Sequence, residues 1–233
     1  MLPRDRASWQ RDPRVGAAVI VAGVALASFV ALGLGLLLAP AILRVDAALS
    51  AAIRAVRLPG LTEAARFATW VGDFWQLTVL TLAAAAVYAA RGKRTSAAML
   101  LVAVPLGAGV ANLLKLVFMR ARPAVEALIP MPETYSFPSS HAVSSFALFG
   151  ALAFLAVLHR ASLKRAAVSV ALYAVAAACI GLSRVYLGVH YLGDVIGGWL
   201  VGAAWLALIV LVFARWGTGD GDGGPTSRGA AGA

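Results

Sequence analysis

Charge is scarce in this chain. Of 233 residues only 13% are charged, and ten acidic residues stand against twenty basic ones. A soluble domain carries roughly a quarter of its residues as charges. There is one cysteine, Cys179, so no internal disulfide can form and a stapled secreted fold is excluded. Histidine occurs three times, with no second His-rich spacing, which argues against a metal centre. Neither an internal repeat nor a strand-like alternation is found. What is abundant is apolar: 61% of the residues are hydrophobic, and so much of the surface must face lipid. The net charge of +10 would suggest nucleic acid in a soluble protein. Here the basic residues sit in short clusters between apolar runs, as membrane topology signals do, and not on one polar surface.

Six uncharged stretches are long enough to cross a bilayer, which takes about 17–25 helical residues: 15–39, 74–90, 95–114, 142–158, 166–183 and 195–214. The first follows a basic segment, Arg4 to Arg14, but it is long for a signal peptide and five more spans follow. The segment 41–72 repeats Asp46, Ser50, Arg54 and Arg57 among apolar residues, one polar stripe on a helix, and is expected to lie along the outer interface until Pro59-Gly60 ends it. The predicted fold is therefore all-α: a polytopic six-transmembrane-helix bundle with an outer interfacial helix. Residues 1–14 form a cytoplasmic N-terminal segment, 15–214 the membrane domain and 215–233 a Gly-rich tail expected to be disordered. With both termini inside, twelve basic residues lie inside and eight outside, as the positive-inside rule prefers.

Three polar clusters fall in the outer loops, where polar side chains at a bilayer edge need a reason. In the first, Lys115 and Arg122 are seven apart, so a continuous helix would put them on one face about 10.5 Å apart, with Pro123 marking its end. Snorkelling at a helix end explains the pair equally well. In the second, Pro138-Ser139-Ser140-His141 opens the fourth span, and its free N–H groups and dipole make an anion site. A plain capped helix is the simpler alternative. The third runs from Ser183-Arg184 to His190 and Asp194. If helical, His190 and Asp194 at i, i+4 share a face, and the carboxylate fixes one imidazole nitrogen while leaving the other as a directed lone pair. That suits a nucleophile or base, though a buried pair fastening two helices has the same pattern. Together, on one membrane face, the clusters make a dianion site.

The pattern Lys-x6-Arg-Pro, then Pro-Ser-x-His, then Ser-Arg-x5-His-x3-Asp resembles the signature of the type 2 phosphatidic acid phosphatase superfamily, in order and internal spacing, over roughly 95–214. One position departs: the family's usual Gly in the second motif is Ser140 here. The resemblance implies a membrane lipid phosphatase. In it His190 attacks phosphorus to form a phosphohistidine, Asp194 holds that imidazole and His141 protonates the leaving oxygen. Lys115, Arg122 and Arg184 bind phosphoryl oxygens with Ser139, Ser140 and the N–H groups of 139–141. It implies no metal and no cofactor, a lipid phosphate or diphosphate substrate (phosphatidic acid, phosphatidylglycerol phosphate or an isoprenoid diphosphate such as undecaprenyl diphosphate), and no partner beyond substrate and membrane lipids. The oligomeric state is not readable. The composition fits a bacterial source, with the protein in the inner or plasma membrane and the site facing the periplasm or exterior. Rival readings are a phosphotransferase passing phosphate to a lipid or sugar hydroxyl, a haloperoxidase, and a silent lipid carrier, against which the full set of reactive residues speaks. Glu126 and Glu133, in the linker 124–137, read as solvated charges or as headgroup contacts. Asp73 has no assigned role, and His159 reads as incidental. Tyr135, Phe137, Tyr186, Tyr191 and Trp199 read as an interfacial aromatic belt.

Overall fold

The computed structural model describes residues 13–159 and 162–216. Most of the expected tail and most of the expected N-terminal segment lie outside them. The described residues form eight helices and no strand: α1 (Pro13–Leu38), α2 (Pro40–Ala55), α3 (Pro59–Val71), α4 (Phe74–Ala90), α5 (Arg94–Phe118), α6 (Ser140–Leu158), α7 (Leu163–Tyr186) and α8 (Leu192–Trp216). Helices α1, α5, α6, α7 and α8 are each long and apolar enough to cross a membrane, and α3 with α4, bent by 60° at their junction, makes a sixth candidate. Large apolar side chains such as Ile20, Val24, Leu113 and Leu172 point outward, which only a lipid surround tolerates at this density.

Helix α6 is central. It packs against α5, α7 and α8, while α1 lies along α8. Its buried face, with Ala142, Val143, Ala147, Leu148, Ala151 and Leu155, is rich in small residues. Lipid supplies no hydrophobic force between helices, so close packing of small residues does the holding. At the α6–α8 seam a Cβ on Gly198 would lie 2.6 Å from the Ala142 Cβ and 2.8 Å from the Ser139 carbonyl oxygen, and a backbone atom cannot step aside. Toward the same end, Phe137 is buried between Phe29 (5.4 Å, stacked) and Phe118 (4.8 Å, edge-on), so the loop before α6 is anchored in the core.

Three expectations need correction. The segment 41–72 is not one helix ended at Pro59. It is two, and Pro59 opens the second, where its missing N–H costs nothing. Its polar stripe does not face the water: Asp46 and Ser50 are buried. The aromatic belt also fails in part, because Phe137 and Tyr186 are buried, the latter with its hydroxyl between the Leu58 N–H and Thr62. His159, at the far end of α6, is not idle: its Nε2 is 2.9 Å from the Ser96 Oγ.

Gly198→Ala is expected to destabilise the bundle by about 1–3 kcal/mol, the usual cost of overpacking. Thermal unfolding in detergent measures it. An unchanged midpoint would mean that α6 and α8 do not touch this closely.

Candidate active site

The ends of α5, α6, α7 and α8 meet at one end of the bundle, together with the α3–α4 bend. His190 lies in the turn after α7, its N–H and that of Val189 both donating to the Arg184 carbonyl. Asp194 lies in the first turn of α8. The two are not on one helix, as their spacing suggested. They meet because the chain turns between them: His190 Nδ1 is 3.2 Å from Asp194 Oδ2, and that same oxygen accepts the Tyr191 N–H at 2.8 Å, the reach-back of a helix-capping carboxylate. The other ring nitrogen, Nε2, is 3.2 Å from Arg122 Nη1. A guanidinium can only donate, so Nε2 accepts and the ring proton sits on Nδ1, toward the carboxylate. His190 is buried, and burial lowers its pKa to about 3 despite the opposing hydrogen bond to Asp194. At neutral pH the ring is therefore neutral, with an aimed lone pair.

Lys115 and Arg122 also meet by a route other than the expected one. Helix α5 ends at Phe118, because Met119 turns left-handed (φ 42°) and its N–H returns to the Lys115 carbonyl. Arg122 thus lies in the loop beyond the helix, not two helical turns above Lys115. The pair converges through the loop 119–139: Lys115 Nζ donates to the Tyr135 carbonyl at 2.5 Å, and Arg122 donates to the Thr134 and Val189 carbonyls, each at 2.7 Å. Burial lowers the Arg122 pKa, with Asp194 opposing. The side chains of Glu126 and Glu133 are exposed.

Helix α6 opens at Ser140, with Ser139 as its N-cap. The Ser139 N–H is not free for an anion, since it donates to the Asp194 carbonyl at 2.9 Å and so ties the two motifs together. Its hydroxyl, however, is buried without a partner, and so is the Nε of Arg184. Buried donors left open in this way suit an anion. The Thr69 hydroxyl holds Arg184 Nη1. The Ser140 hydroxyl turns away, to Asn112 of α5 at 3.4 Å. His141 is in the first turn of α6, with Nε2 2.9 Å from Asp73 Oδ1. The Arg184 charge acts on both imidazoles. Below His141 a cavity of about 380 Å³ opens between α4, α5 and α6, lined by Leu77, Thr81, Leu101, Val104 and Asn112. Among the described residues no group of three or more His, Cys, Asp or Glu could hold a metal ion.

Three residues at this site were not picked out from the sequence. Arg120 bridges two buried carboxylates, Asp194 Oδ1 and Asp46 Oδ2, each at 2.7 Å, with its guanidinium 4.2 Å from the Tyr191 ring centroid. Asp46 Oδ1 in turn accepts the Gly193 N–H at 2.7 Å, and the Ser50 Oγ accepts that of Leu192 at 2.8 Å. The α2 stripe therefore caps α8 from another helix. Ser136 donates to Asp194 Oδ2. The available signal was a third basic residue inside the Lys115–Arg122 stretch and an acid in the α2 stripe.

The sequence model of the PAP2 superfamily matches residues 96–217, which contain all three motifs. The chain belongs to the PAP2 superfamily. No curated protein matches it in sequence. Among solved structures it is similar to a transmembrane PAP2-type phosphatidylglycerolphosphate phosphatase from Bacillus subtilis, at 29% identity and TM-score 0.72, over 81% of this chain and 93% of that one. It shares its fold with LpxE from Aquifex aeolicus at 23% identity and TM-score 0.54, over 70% and 93%.

In this PAP2 chain, Arg120→Gln would strand two buried carboxylates. It is expected to cost about 3–5 kcal/mol, as breaking a buried ion pair does. Unfolding in detergent checks this, and a loss below about 1 kcal/mol, the surface-pair value, would mean that Arg120 is solvated.

Proposed function

We propose that this membrane protein of the PAP2 superfamily hydrolyses a lipid phosphate or diphosphate through a phosphohistidine at His190 Nε2. The observation that carries the reading is the fixed tautomer of His190: Asp194 accepts the hydrogen bond from Nδ1–H, so the lone pair on Nε2 points at the guanidinium of Arg122. A phosphoryl group entering between them meets a nucleophile and a cation at once. Nε2 attacks phosphorus as the bond to the leaving oxygen breaks, and His141 gives that oxygen its proton. A water then attacks the phosphohistidine, His141 takes the proton of that water, and inorganic phosphate leaves as the P–N bond breaks. Lys115, Arg122 and Arg184 offset the phosphoryl charge, assisted by the open Ser139 hydroxyl and the N–H groups of Ser140 and His141. Positioning and electrostatics account for most catalysis of phosphoryl transfer, and three fixed cations supply the charge that a metal ion otherwise brings.

The apolar cavity below His141 supports a lipid as substrate, its chains entering between α4, α5 and α6. The likeness to a phosphatidylglycerolphosphate phosphatase puts phosphatidylglycerol phosphate first among candidates, ahead of phosphatidic acid and isoprenoid diphosphates. The basic residues Arg91, Lys93, Arg94, Lys164 and Arg165 lie at the bundle end opposite the site. The positive-inside rule then puts the termini in the cytoplasm and the site at the periplasmic or outer face of the inner or plasma membrane.

The test is release of inorganic phosphate from a panel of lipid mono- and diphosphates in detergent with EDTA and no acceptor alcohol. Turnover is expected to persist in EDTA. His141→Ala should retain about 10⁻²–10⁻⁴ of it, the worth of one general acid. His190→Ala should lose nearly all of it, together with the trapped phosphoenzyme. Half of normal turnover in His190→Ala would end this mechanism, and release that needs an added alcohol would make the protein a phosphotransferase.

A further inference from the structure

The bend between α3 and α4 carries a carboxylate in an unusual attitude. Asp73 is the N-cap residue of α4, with extended backbone (φ −69°, ψ 157°), yet its side chain makes no capping hydrogen bond. An N-cap aspartate ordinarily accepts from the N–H groups of the first turn and stabilises its helix by about 1 kcal/mol. This one turns across to α6 and takes His141 Nε2 at 2.9 Å. The preceding residue permits the approach: a Cβ on Gly72 would lie 2.4 Å from the Ile180 Cγ2 and 3.0 Å from the His141 Cδ2. Arg184 from α7 and Lys115 from α5 also act on the His141 ring, and Asp73 is the negative charge set against these two cations.

We infer that Asp73 is the positioning carboxylate of His141: it holds Nε2–H, so that Nδ1 is the nitrogen that serves the leaving oxygen. This rests on the phosphohistidine reading above. The site then contains two Asp–His pairs of opposite sense. Asp194 holds Nδ1 of His190 and exposes Nε2 to phosphorus. Asp73 holds Nε2 of His141 and exposes Nδ1 to the leaving group. In the first step the Nδ1 proton of the His141 imidazolium passes to the departing alkoxide as the P–N bond forms. In the second, neutral Nδ1 takes a proton from the attacking water as the P–N bond breaks, and the ring is restored. Asp73 accepts the Nε2–H hydrogen bond in both steps. Its side chain is 48% exposed against 19% for His141, so water screens its charge and orientation is its main contribution.

The consequence is selective. A leaving group that needs no proton gains little from a well-aimed acid, whereas a lipid alkoxide depends on it. The experiment compares phosphate release from dioctanoyl phosphatidic acid and from p-nitrophenyl phosphate by wild type, Asp73→Asn, Asp73→Glu, His141→Ala and the double variant. Asp73→Asn is expected to lose roughly ten- to hundredfold in kcat on the alkyl substrate, and roughly tenfold less than that on the aryl one. Asp73→Glu, which keeps a carboxylate, should recover part of the loss. In the His141→Ala background the Asp73→Asn change should cost no more than about twofold, because a residue acting through another adds nothing once that residue is gone. Equal losses on both substrates, additive losses in the double variant, or full alkyl turnover in Asp73→Asn would each overturn the assignment while leaving the phosphohistidine intact. If His190→Ala matched wild type on both substrates, the underlying reading would fail first and Asp73 with it.

Discussion

A fully buried carboxylate cannot stay ionised alone, and Asp194 is surrounded accordingly. It receives Arg120, Ser136, the Tyr191 N–H and the His190 ring, and its backbone carbonyl receives Ser139. Those partners come from the loop after α5, the N-terminus of α6 and the turn before α8. Satisfying this one group therefore requires three distant segments to arrive at the same place, and their arrival builds the site. Desolvating the charge is repaid only when every lone pair finds a donor. The conformation of the loop and the tautomer of His190 thus follow from one constraint.

Arg120 spreads that constraint outward. It links Asp194 to Asp46 on α2, and α2 in turn covers the first N–H groups of α8 with Asp46 and Ser50. A short helix with an ordinary amphipathic pattern becomes a cap for the helix that bears the carboxylate. The α3–α4 bend does the same on the other flank, where Thr69 reaches Arg184 and Asp73 reaches His141. Helices outside the three motifs thus hold Arg184 and His141 and, through Arg120, Asp194. At a bilayer edge a misplaced charge is costly, so the buried polar groups are built to pair with one another.

Much of the fold was legible because its causes are local. A bilayer demands about twenty uncharged residues per crossing, and the gaps between charges mark those runs directly. The residues proposed to react stood out because their types and spacing suit one chemistry. Their geometry was read less well wherever an unbroken helix was assumed. Lys115 and Arg122 seemed two turns apart on one helix, but a left-handed Met119 ends that helix early. His190 and Asp194 seemed to be i, i+4 on a helix, but a turn separates them. In both pairs the residues still meet, through loop carbonyls and a capping carboxylate.

By itself the sequence determined the crossings and the class of fold, and it supplied the residues proposed to hold and attack a phosphate, because hydropathy and residue chemistry belong to each residue wherever it sits. It could not assign Asp73, Arg120, Asp46 or Ser136, whose roles exist only across helices. Asp73 lies 68 residues from His141, and Arg120 lies 74 from each of its two carboxylates. Only the packing of the bundle brings such groups within hydrogen-bonding distance, and only there does the cost of burying an unpaired charge decide which of them pair.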